Sequence, residues 1–412
     1  VNKPITEKRG YFISGKFDQY QQHTPYTAFN QAFNQLVDIL MTEQETTLQQ
    51  WRAKILAVVG SNGAVLTEVI PRLEKVIGPQ PAVTKLSGQE NRNRFNLTFQ
   101  NFVQAISTAE HPLVVFIDDC QWTDQASLDL LKMLLMGEKI SYLLLVVAYR
   151  DRKVGQGHPL TIALNDLTSA GTKTPVIELD NLLRADVYQL IQESVGGSGA
   201  DSQALGQLVY EKTQGNAFFT REFLQNLDEQ GWLQFDYDAR RWVWDMAQLN
   251  AQNITDNVVE LMAAKLKKLS RQTAHLLQLA ACIGNEFDLQ TLVLISQMSE
   301  SETLSRLEEV LFQGIVIPLD DYYKLPDTAA RAHFRFLHDQ VQQAAYVQIP
   351  ATQRQTDHLD IGRLLLANTS AASLDQRVFG IVQHYNQAGA LITEQTERLG
   401  LAELNIHAAD LA

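Results

Sequence analysis

Cysteine is scarce in this sequence of 412 residues, and long apolar runs are missing. The two cysteines, Cys120 and Cys282, stand far apart inside apolar segments, which predicts buried free thiols in a reducing compartment. No spacing of Cys and His suggests a zinc site. No stretch of about 18 uncharged apolar residues occurs, so the sequence predicts no membrane span.

An excess of basic charge is also missing. Lys and Arg number 34 against 47 Asp and Glu, and the formal net charge is −13. Because binding to nucleic acid or anionic lipid needs clustered basic residues, we expect neither as a partner. The first segment, Val1–Arg9, is polar and typical of neither a signal peptide nor a transit peptide, so we expect a cytoplasmic protein. The chain starts with Val rather than Met, so we expect either a piece of a longer protein or a processed chain.

The length predicts more than one domain. In the first part of the chain, apolar segments of strand composition alternate with helical periodicity. This pattern predicts an α/β fold with a parallel sheet and crossover helices. The segments predicted to be strands are Tyr11–Ser14, Pro112–Ile117, Tyr142–Ala148 and Thr174–Leu179.

Helical patterns dominate after residue 180. Residues 181–250 contain three helical segments and a hairpin. Residues 251–350 contain three helices followed by two strand segments, which is the order of a winged-helix domain. Residues 351–412 are helical and are consistent with the start of a helical-repeat array.

The strand that ends at Ile117 is followed by two acids, Asp118 and Asp119. Ligands bind at the carboxyl edge of a parallel sheet. One carboxylate there could hold the Mg²⁺ of a nucleotide, and the other could orient an attacking water. A solvated strand end that carries acids is the alternative interpretation, and the local sequence leaves both open.

A cation follows the next strand in the same way. Arg150 comes after Tyr142–Ala148 and could sense a terminal phosphate. A surface pair between Arg150 and Asp151 is the alternative, and the local sequence favours it.

Two further motifs lie in the helical part. Gly215 and Asn216 allow a sharp corner between helices, so that the next helix could point its N-terminus at a ligand, although a plain connection has the same sequence. His338 could donate to a phosphate, and Asp339 is expected to cap the helix that follows.

The segment Ser14-Gly15-Lys16 has a superficial likeness to a phosphate-binding loop. The glycine spacing of that loop is absent, Phe17 stands where Ser or Thr should bind Mg²⁺, and no strand precedes the segment at the right distance. We therefore reject this interpretation and predict that residues 10–18 form a strand and its exit loop.

Four features follow one another along the chain: the acids Asp118 and Asp119, then Arg150, then Gly215 with Asn216, and last His338 with Asp339. Their order resembles that in the signal-transduction ATPases with numerous domains (STAND proteins). The resemblance is greatest to the AAA-like ATPase region of large bacterial, notably cyanobacterial, serine/threonine and histidine kinases, and it covers nearly the whole chain. The segments that carry it are RGYFISGKFDQ at 9–19, FIDDCQW at 116–122, GNAFF at 215–219 and LHDQVQQAAY at 337–346.

The resemblance implies a P-loop NTPase-type sheet, incomplete at its N-terminus, in a nucleotide-binding domain at 1–180. A helical lid at 181–250, a winged helix at 251–350 and a helical segment at 351–412 would follow. Asp118 would bind Mg²⁺, Asp119 would be the catalytic acid, and Arg150 would be the sensor arginine.

The implied cofactors are ATP or ADP with Mg²⁺. Gly215 and Asn216 would form the lid motif near the adenine, and His338 would contact the nucleotide phosphate. The family usually has Pro after Gly-Asn, where Ala217 stands here. Its Walker A loop should precede Gly10 by a few tens of residues, so we expect a parent protein to supply that loop and ATPase activity to need it.

The sequence is compatible with three functions. The first is an ATP- or ADP-dependent switch in a kinase-associated signalling protein, with nucleotide, parent domains and further copies of itself as partners. The second is a non-catalytic interaction scaffold. The third, a winged-helix regulator that binds DNA, is disfavoured because Glu300, Glu302, Glu308 and Glu309 surround Arg306 in the candidate recognition helix. The kinase motifs His-Arg-Asp and Asp-Phe-Gly do not occur in this sequence.

Overall fold

The computed structural model describes residues 10–18, 24–84, 88–136, 140–195, 200–251, 255, 257–324 and 329–411. Two compact units divide the chain, Val1–Pro175 with Gln355–Ala412 and Val176–Arg354, and each is described by itself. Arg9 and Gln19, at the ends of the first motif, lie outside the described residues.

Regular elements account for most of the described chain. The strands are β1 Tyr11–Lys16, β2 Leu113–Asp118, β3 Leu143–Val147, β4 Leu233–Asp236, β5 Arg241–Trp244, β6 Glu286–Asp288, β7 Val316–Pro318 and β8 His333–Phe336. The helices are α1 Thr27–Leu40, α2 Glu45–Val59, α3 Gly63–Val69, α4 Glu74–Ile77, α5 Gly88–Ile106, α6 Gln125–Met136, α7 Pro159–Ser169, α8 Arg184–Val195, α9 Ala200–Thr213, α10 Ala217–Glu229, α11 Met246–Ala251, α12 Val258–Lys267, α13 Arg271–Ile283, α14 Leu289–Ser296, α15 Glu300–Phe312, α16 Asp339–Val347, α17 Ala351–Ala367, α18 Leu374–Gln387 and α19 Gln395–Leu411.

A three-stranded parallel sheet in the order β1-β2-β3 organises the first unit. Residue Lys16, the last of β1, lies opposite Asp118, the last of β2. Helices connect successive strands, and the aromatic residues of α5 pack into the core against α1. The predicted α/β class with a parallel sheet is therefore confirmed, as is the strand at the start of the chain.

Strand β1 and helix α1 are in unusually close contact. A Cβ atom on Gly15 would lie 1.8 Å from the carbonyl oxygen of Ala28, so only glycine fits there. Side chains of α1 also hydrogen-bond the outer edge of β1: Gln31 accepts from the backbone N–H of Lys16 at 2.8 Å, and Gln35 accepts from that of Ser14 at 3.0 Å. These contacts fix the end of β1 and cover an otherwise unpaired strand edge.

The strand predicted at Thr174–Leu179 is wrong. This segment has no regular structure, and no described strand pairs with it. Val176, Ile177 and Leu179 are 70%, 83% and 91% exposed. Apolar composition alone cannot make a strand, because the backbone groups need a neighbouring strand for their hydrogen bonds.

The second unit contains the predicted hairpin, in which β4 and β5 pair antiparallel. A second, three-stranded sheet has the order β6-β8-β7. Strands β7 and β8 were expected from the sequence, whereas β6 was not, because its three residues are too short to show an alternating pattern.

Polar side chains are buried in both units. In the second, Lys265 of α12 pairs with Glu222 of α10 at 3.2 Å, and both are almost inaccessible. In the C-terminal helices, Nδ1 of His358 and Nδ1 of His384 are 2.8 Å apart and buried. Both cysteines are buried and neither forms a disulfide, as predicted. Among the described helices, none is long and apolar enough to cross a membrane.

Candidate functional site

The carboxyl edge of the parallel sheet gathers charged side chains from all three strands. Asp118 ends β2, Asp119 follows it, Arg150 follows β3, and Lys16 ends β1. The edge forms because parallel strands end together, and an apolar interior holds them there: Ile13, Val115 and Ile117 are buried.

Asp119 lies at the centre of this cluster. One of its carboxylate oxygens is 2.8 Å from Nζ of Lys16, and the other is 3.6 Å from Nε of Arg150. The Gln121 amide donates to the latter oxygen at 2.7 Å. The side chain of Asp119 is only 8% exposed, so these contacts take place largely away from water. A nearly buried carboxylate needs such partners.

The backbone at Asp119 is left-handed, with φ 52° and ψ 40°. Asp tolerates this region better than most side chains, but the conformation is uncommon and often marks functional positions. The turn is held by Asp118, whose carboxylate accepts from the backbone N–H of Asp119 at 2.8 Å, and by the N–H of Cys120, which donates to the carbonyl of Ala148 at 2.9 Å.

Gln121 links the two strand ends. Its amide nitrogen donates to Asp119, and its amide oxygen accepts from the backbone N–H of Arg150 at 3.0 Å. The backbone carbonyl of Gln121 also lies 3.2 Å from Nε2 of His158. Since Nδ1 of His158 accepts from the N–H of Leu160, the ring is a neutral donor at Nε2. Neither Gln121 nor His158 was selected from the sequence.

The structure therefore brings together Asp118, Asp119 and Arg150, as the sequence predicts. The local sequence favours a surface pair of Arg150 with Asp151. In the structure Arg150 pairs with Asp119, and Asp151 accepts from the backbone N–H of Arg152. Rejection of the phosphate loop at Ser14–Lys16 is confirmed, because this segment lies in β1.

Lys16 itself is a residue of the cluster that the sequence analysis missed. Ending the first strand at Ser14 left Lys16 in a loop, whereas β1 continues to Lys16. The signal was available, because a charged residue at the end of a parallel strand reaches the same edge as Asp118 and Arg150.

The two cations of the cluster differ in their exposure to solvent. Lys16 is 23% exposed and Arg150 is 42% exposed at the side chain. Beside the cluster, burial raises the pKa of the Cys120 thiol to about 12, so Cys120 is an inert neighbour and not a nucleophile.

The second group of predicted residues lies in the second unit. A Cβ atom on Gly215 would lie 2.0 Å from the carbonyl oxygen of Leu182, and Gly215 has φ 72°. The carbonyl of Gly215 also accepts from the N–H of Leu182 at 2.8 Å. The side chain of Asn216 caps α10 by accepting from the N–H of Phe219 at 2.9 Å. Packing alone therefore explains both residue types.

His338 lies beside this corner. Its ring stacks on Phe218, with centroids 4.0 Å apart and planes 14° apart. Nδ1 of His338 accepts from the N–H of Gln340 at 3.1 Å. The prediction that Asp339 caps this helix is therefore wrong, because His338 caps α16. Asp339 is the first helical residue, where its negative charge interacts favourably with the helix dipole. The structure brings together His338 and the corner of Gly215 and Asn216.

The carboxylates and cations of the sheet edge fit a nucleotide with bound Mg²⁺. Carboxylate oxygens are the ligands that Mg²⁺ prefers, and Lys and Arg are the side chains that bind phosphate. No cluster of three or more metal-binding side chains exists among the described residues, so a metal there would need oxygens from a nucleotide or from water as well.

Residues 1–147 match the AAA ATPase domain family. The predicted resemblance is confirmed for this part of the chain.

A curated protein and a solved structure each align with nearly the whole chain. The hybrid signal transduction histidine kinase G of Dictyostelium discoideum is 26% identical over an alignment 506 positions long, which covers 96% of this chain and 14% of that protein. The crystal structure of a STAND protein from Pyrococcus horikoshii with a tetratricopeptide repeat sensor can also be aligned with this chain. The alignment covers 98% of this chain and 50% of the Pyrococcus chain, with 11% identity and a TM-score of 0.44. The chain thus spans a small part of the kinase that it resembles.

Proposed function

We propose that this chain is the nucleotide-controlled regulatory core of a multidomain, cytoplasmic signalling protein, associated with a protein kinase. The observation that carries the proposal is the cluster at the sheet edge, where Asp118, Asp119 and Arg150 meet. The match to the AAA ATPase domain over residues 1–147 supports it independently.

Asp118, Asp119 and Arg150 each have a role in this proposal. Asp118 would hold Mg²⁺, whose charge would neutralise the phosphates when bound. Asp119 would orient the attacking water, and Arg150 would contact the terminal phosphate. A parent protein would supply the phosphate-binding loop.

The second unit would report which nucleotide is bound. Gly215 and Asn216 would form the corner of a helical lid, and His338 would donate to a phosphate from Nε2, since Nδ1 accepts from Gln340. A switch needs different affinities in its two states. We propose that a winged helix at 251–350, which carries His338, is held in one state and released in the other, with self-association of the parent as one output.

Calorimetry of the full-length parent with ATP and with ADP, each in the presence of Mg²⁺, tests the proposal. We expect Asp118→Asn to abolish the dependence of affinity on Mg²⁺ and His338→Ala to weaken ADP binding about tenfold, which is the loss of one charge-assisted hydrogen bond. Asp166→Asn, at an exposed carboxylate in α7 outside the site, should change neither. A parent that binds neither nucleotide would overturn the proposal.

A non-catalytic scaffold is the second candidate. The observation in its favour is that packing accounts for Gly215 and Asn216 without any ligand. The same calorimetry decides between the two, because a scaffold would show no heat of nucleotide binding in any variant.

A further inference from the structure

Lys16 has no role in the function proposed above, yet its ammonium makes a close ion pair at the sheet edge. Nζ of Lys16 lies 2.8 Å from Asp119, closer than Nε of Arg150 at 3.6 Å. The same carboxylate accepts from Gln121 at 2.7 Å. A carboxylate held by these donors has little capacity left to orient a water molecule.

The backbone beneath Lys16 is fixed. Gly15 permits α1 to approach β1, Gln31 accepts from the N–H of Lys16, and the following N–H, that of Phe17, donates to the carbonyl of Asp118 at 3.1 Å. The side chain, in contrast, is 23% exposed, on four flexible bonds. Lys16 can therefore move its charge over a few ångströms while its Cα stays in place.

The same edge carries the residues proposed to hold Mg²⁺ and to contact the terminal phosphate. A terminal phosphate placed between Asp118 and Arg150 would bring more negative charge than Asp119 does, and it would compete for the ammonium of Lys16. A diphosphate lacks that group and would leave the pair with Asp119 intact.

We propose that Lys16 binds the terminal phosphate of a nucleoside triphosphate in exchange for its ion pair with Asp119. In the absence of that phosphate the ion pair occupies Asp119; in its presence Lys16 binds the phosphate and Asp119 is released to orient water. This inference rests on the proposed function and adds to it the means by which the site would tell triphosphate from diphosphate.

The ion pair is tested first, in this chain, by urea unfolding. Lys16→Met leaves a nearly buried carboxylate without its closest cation and should lower the unfolding midpoint. Adding Asp119→Asn should restore part of that loss, because the uncompensated charge is gone. Lys132→Met removes a lysine of similar exposure, 28%, from its pair with Asp166 on the same unit and serves as the control. Losses that simply add in the Lys16 and Asp119 double variant would overturn the pairing.

The exchange is tested by calorimetry of the full-length parent, with ADP and with a non-hydrolysable triphosphate in the presence of Mg²⁺. Lys16→Met should weaken triphosphate binding about tenfold and ADP binding less than about twofold, because only the terminal phosphate contacts Lys16. Lys16→Arg should restore most of the difference, and Lys132→Met should leave both affinities unchanged.

The outcomes separate the two proposals. A parent that binds neither nucleotide overturns the proposed function and the exchange together. A parent that binds both nucleotides, with equal effects of Lys16→Met on the two affinities, overturns the exchange alone and leaves the nucleotide switch standing.

Discussion

Phe218 and His338, separated by 120 positions in the sequence, stack ring on ring at 4.0 Å with an interplanar angle of 14°. Phe218 lies in the first turn of α10, and His338 caps α16. The two motifs that the sequence analysis proposed separately therefore meet through an aromatic contact. The guanidinium of Arg221 lies 5.7 Å from the Phe218 ring and adds a cation beside it.

Removal of the Phe218 ring should loosen this contact. We expect Phe218→Ala to lower the free energy of unfolding by about 1 kcal/mol, the usual worth of an aromatic pair beyond its buried area, and more if a cavity remains. The ring protons of His338 should also lose the ring-current shift from Phe218, which NMR measures. Phe312→Ala, at a ring that is 95% exposed, should change neither quantity. Unchanged His338 resonances in Phe218→Ala would show that the rings do not stack in solution.

The buried pair of Lys265 and Glu222 links α12 to α10. Lys265→Met should lower the free energy of unfolding by about 3–5 kcal/mol, because Glu222 is left charged in a nearly dry environment. Adding Glu222→Gln should recover much of that loss in urea unfolding. Arg221→Met removes a partner of Glu222 that is 58% exposed and should cost less than about 1 kcal/mol. Equal losses from Lys265→Met and Arg221→Met would contradict the burial of the pair.

The parallel sheet and its edge could be predicted from the sequence because each signal is local. A continuous apolar run that ends in acids marks a buried strand, and this identified β2 with Asp118 and Asp119. The same local reasoning failed at Thr174–Leu179, where composition favours a strand but no described partner provides hydrogen bonds. It also ended β1 two residues early and so missed Lys16.

Contacts between distant residues could not be predicted in this way. The stacking of Phe218 on His338 depends on how α10 and α16 pack, and no spacing in the sequence encodes that distance. Capping of α16 by His338 was missed for a related reason: Asp is the stronger cap by type, but the helix begins one residue earlier than that assignment requires.

Alanine substitutions at three glycines separate the cost of a steric clash from the cost of a positive φ. Gly215→Ala should lower the free energy of unfolding by about 2–4 kcal/mol, because its Cβ would clash with the Leu182 carbonyl and φ is positive. Gly171→Ala has a similar φ of 85° but open space around the new methyl group, and should cost about 1–2 kcal/mol. Gly155→Ala, in open space, should stay within about 0.5 kcal/mol of the wild type.

Urea unfolding measures the loss in the free energy of unfolding for each variant, and we expect the loss to be largest for Gly215→Ala and smallest for Gly155→Ala. A Gly215→Ala variant no less stable than Gly171→Ala would mean that the chain at Leu182 moves away freely. The close approach of Gly215 to Leu182 would then not constrain the corner that precedes Asn216.

Acid should destabilise the C-terminal helices through His384. Burial, together with the neighbouring His358, lowers the pKa of His384 from 6.5 to about 3. Between these values the unfolded chain binds a proton that the folded chain does not. Stability is therefore complete above pH 6.5 and falls as the pH drops towards 3, by about 1.4 kcal/mol per pH unit from this group.

Urea unfolding at pH 7, 6, 5 and 4 measures this dependence. His384→Gln keeps a hydrogen-bonding side chain beside His358 but cannot titrate, so its stability should fall less steeply with acid than that of the wild type. Acidic residues contribute equally to both proteins, so the difference between the slopes reports the titration of the coupled pair of His384 and His358. His275→Gln, at an exposed histidine in α13, should retain the wild-type slope. Parallel slopes for His384→Gln and the wild type would mean that the pKa of His384 is not lowered in the folded chain, because a group that binds its proton alike in both states does not contribute to the slope.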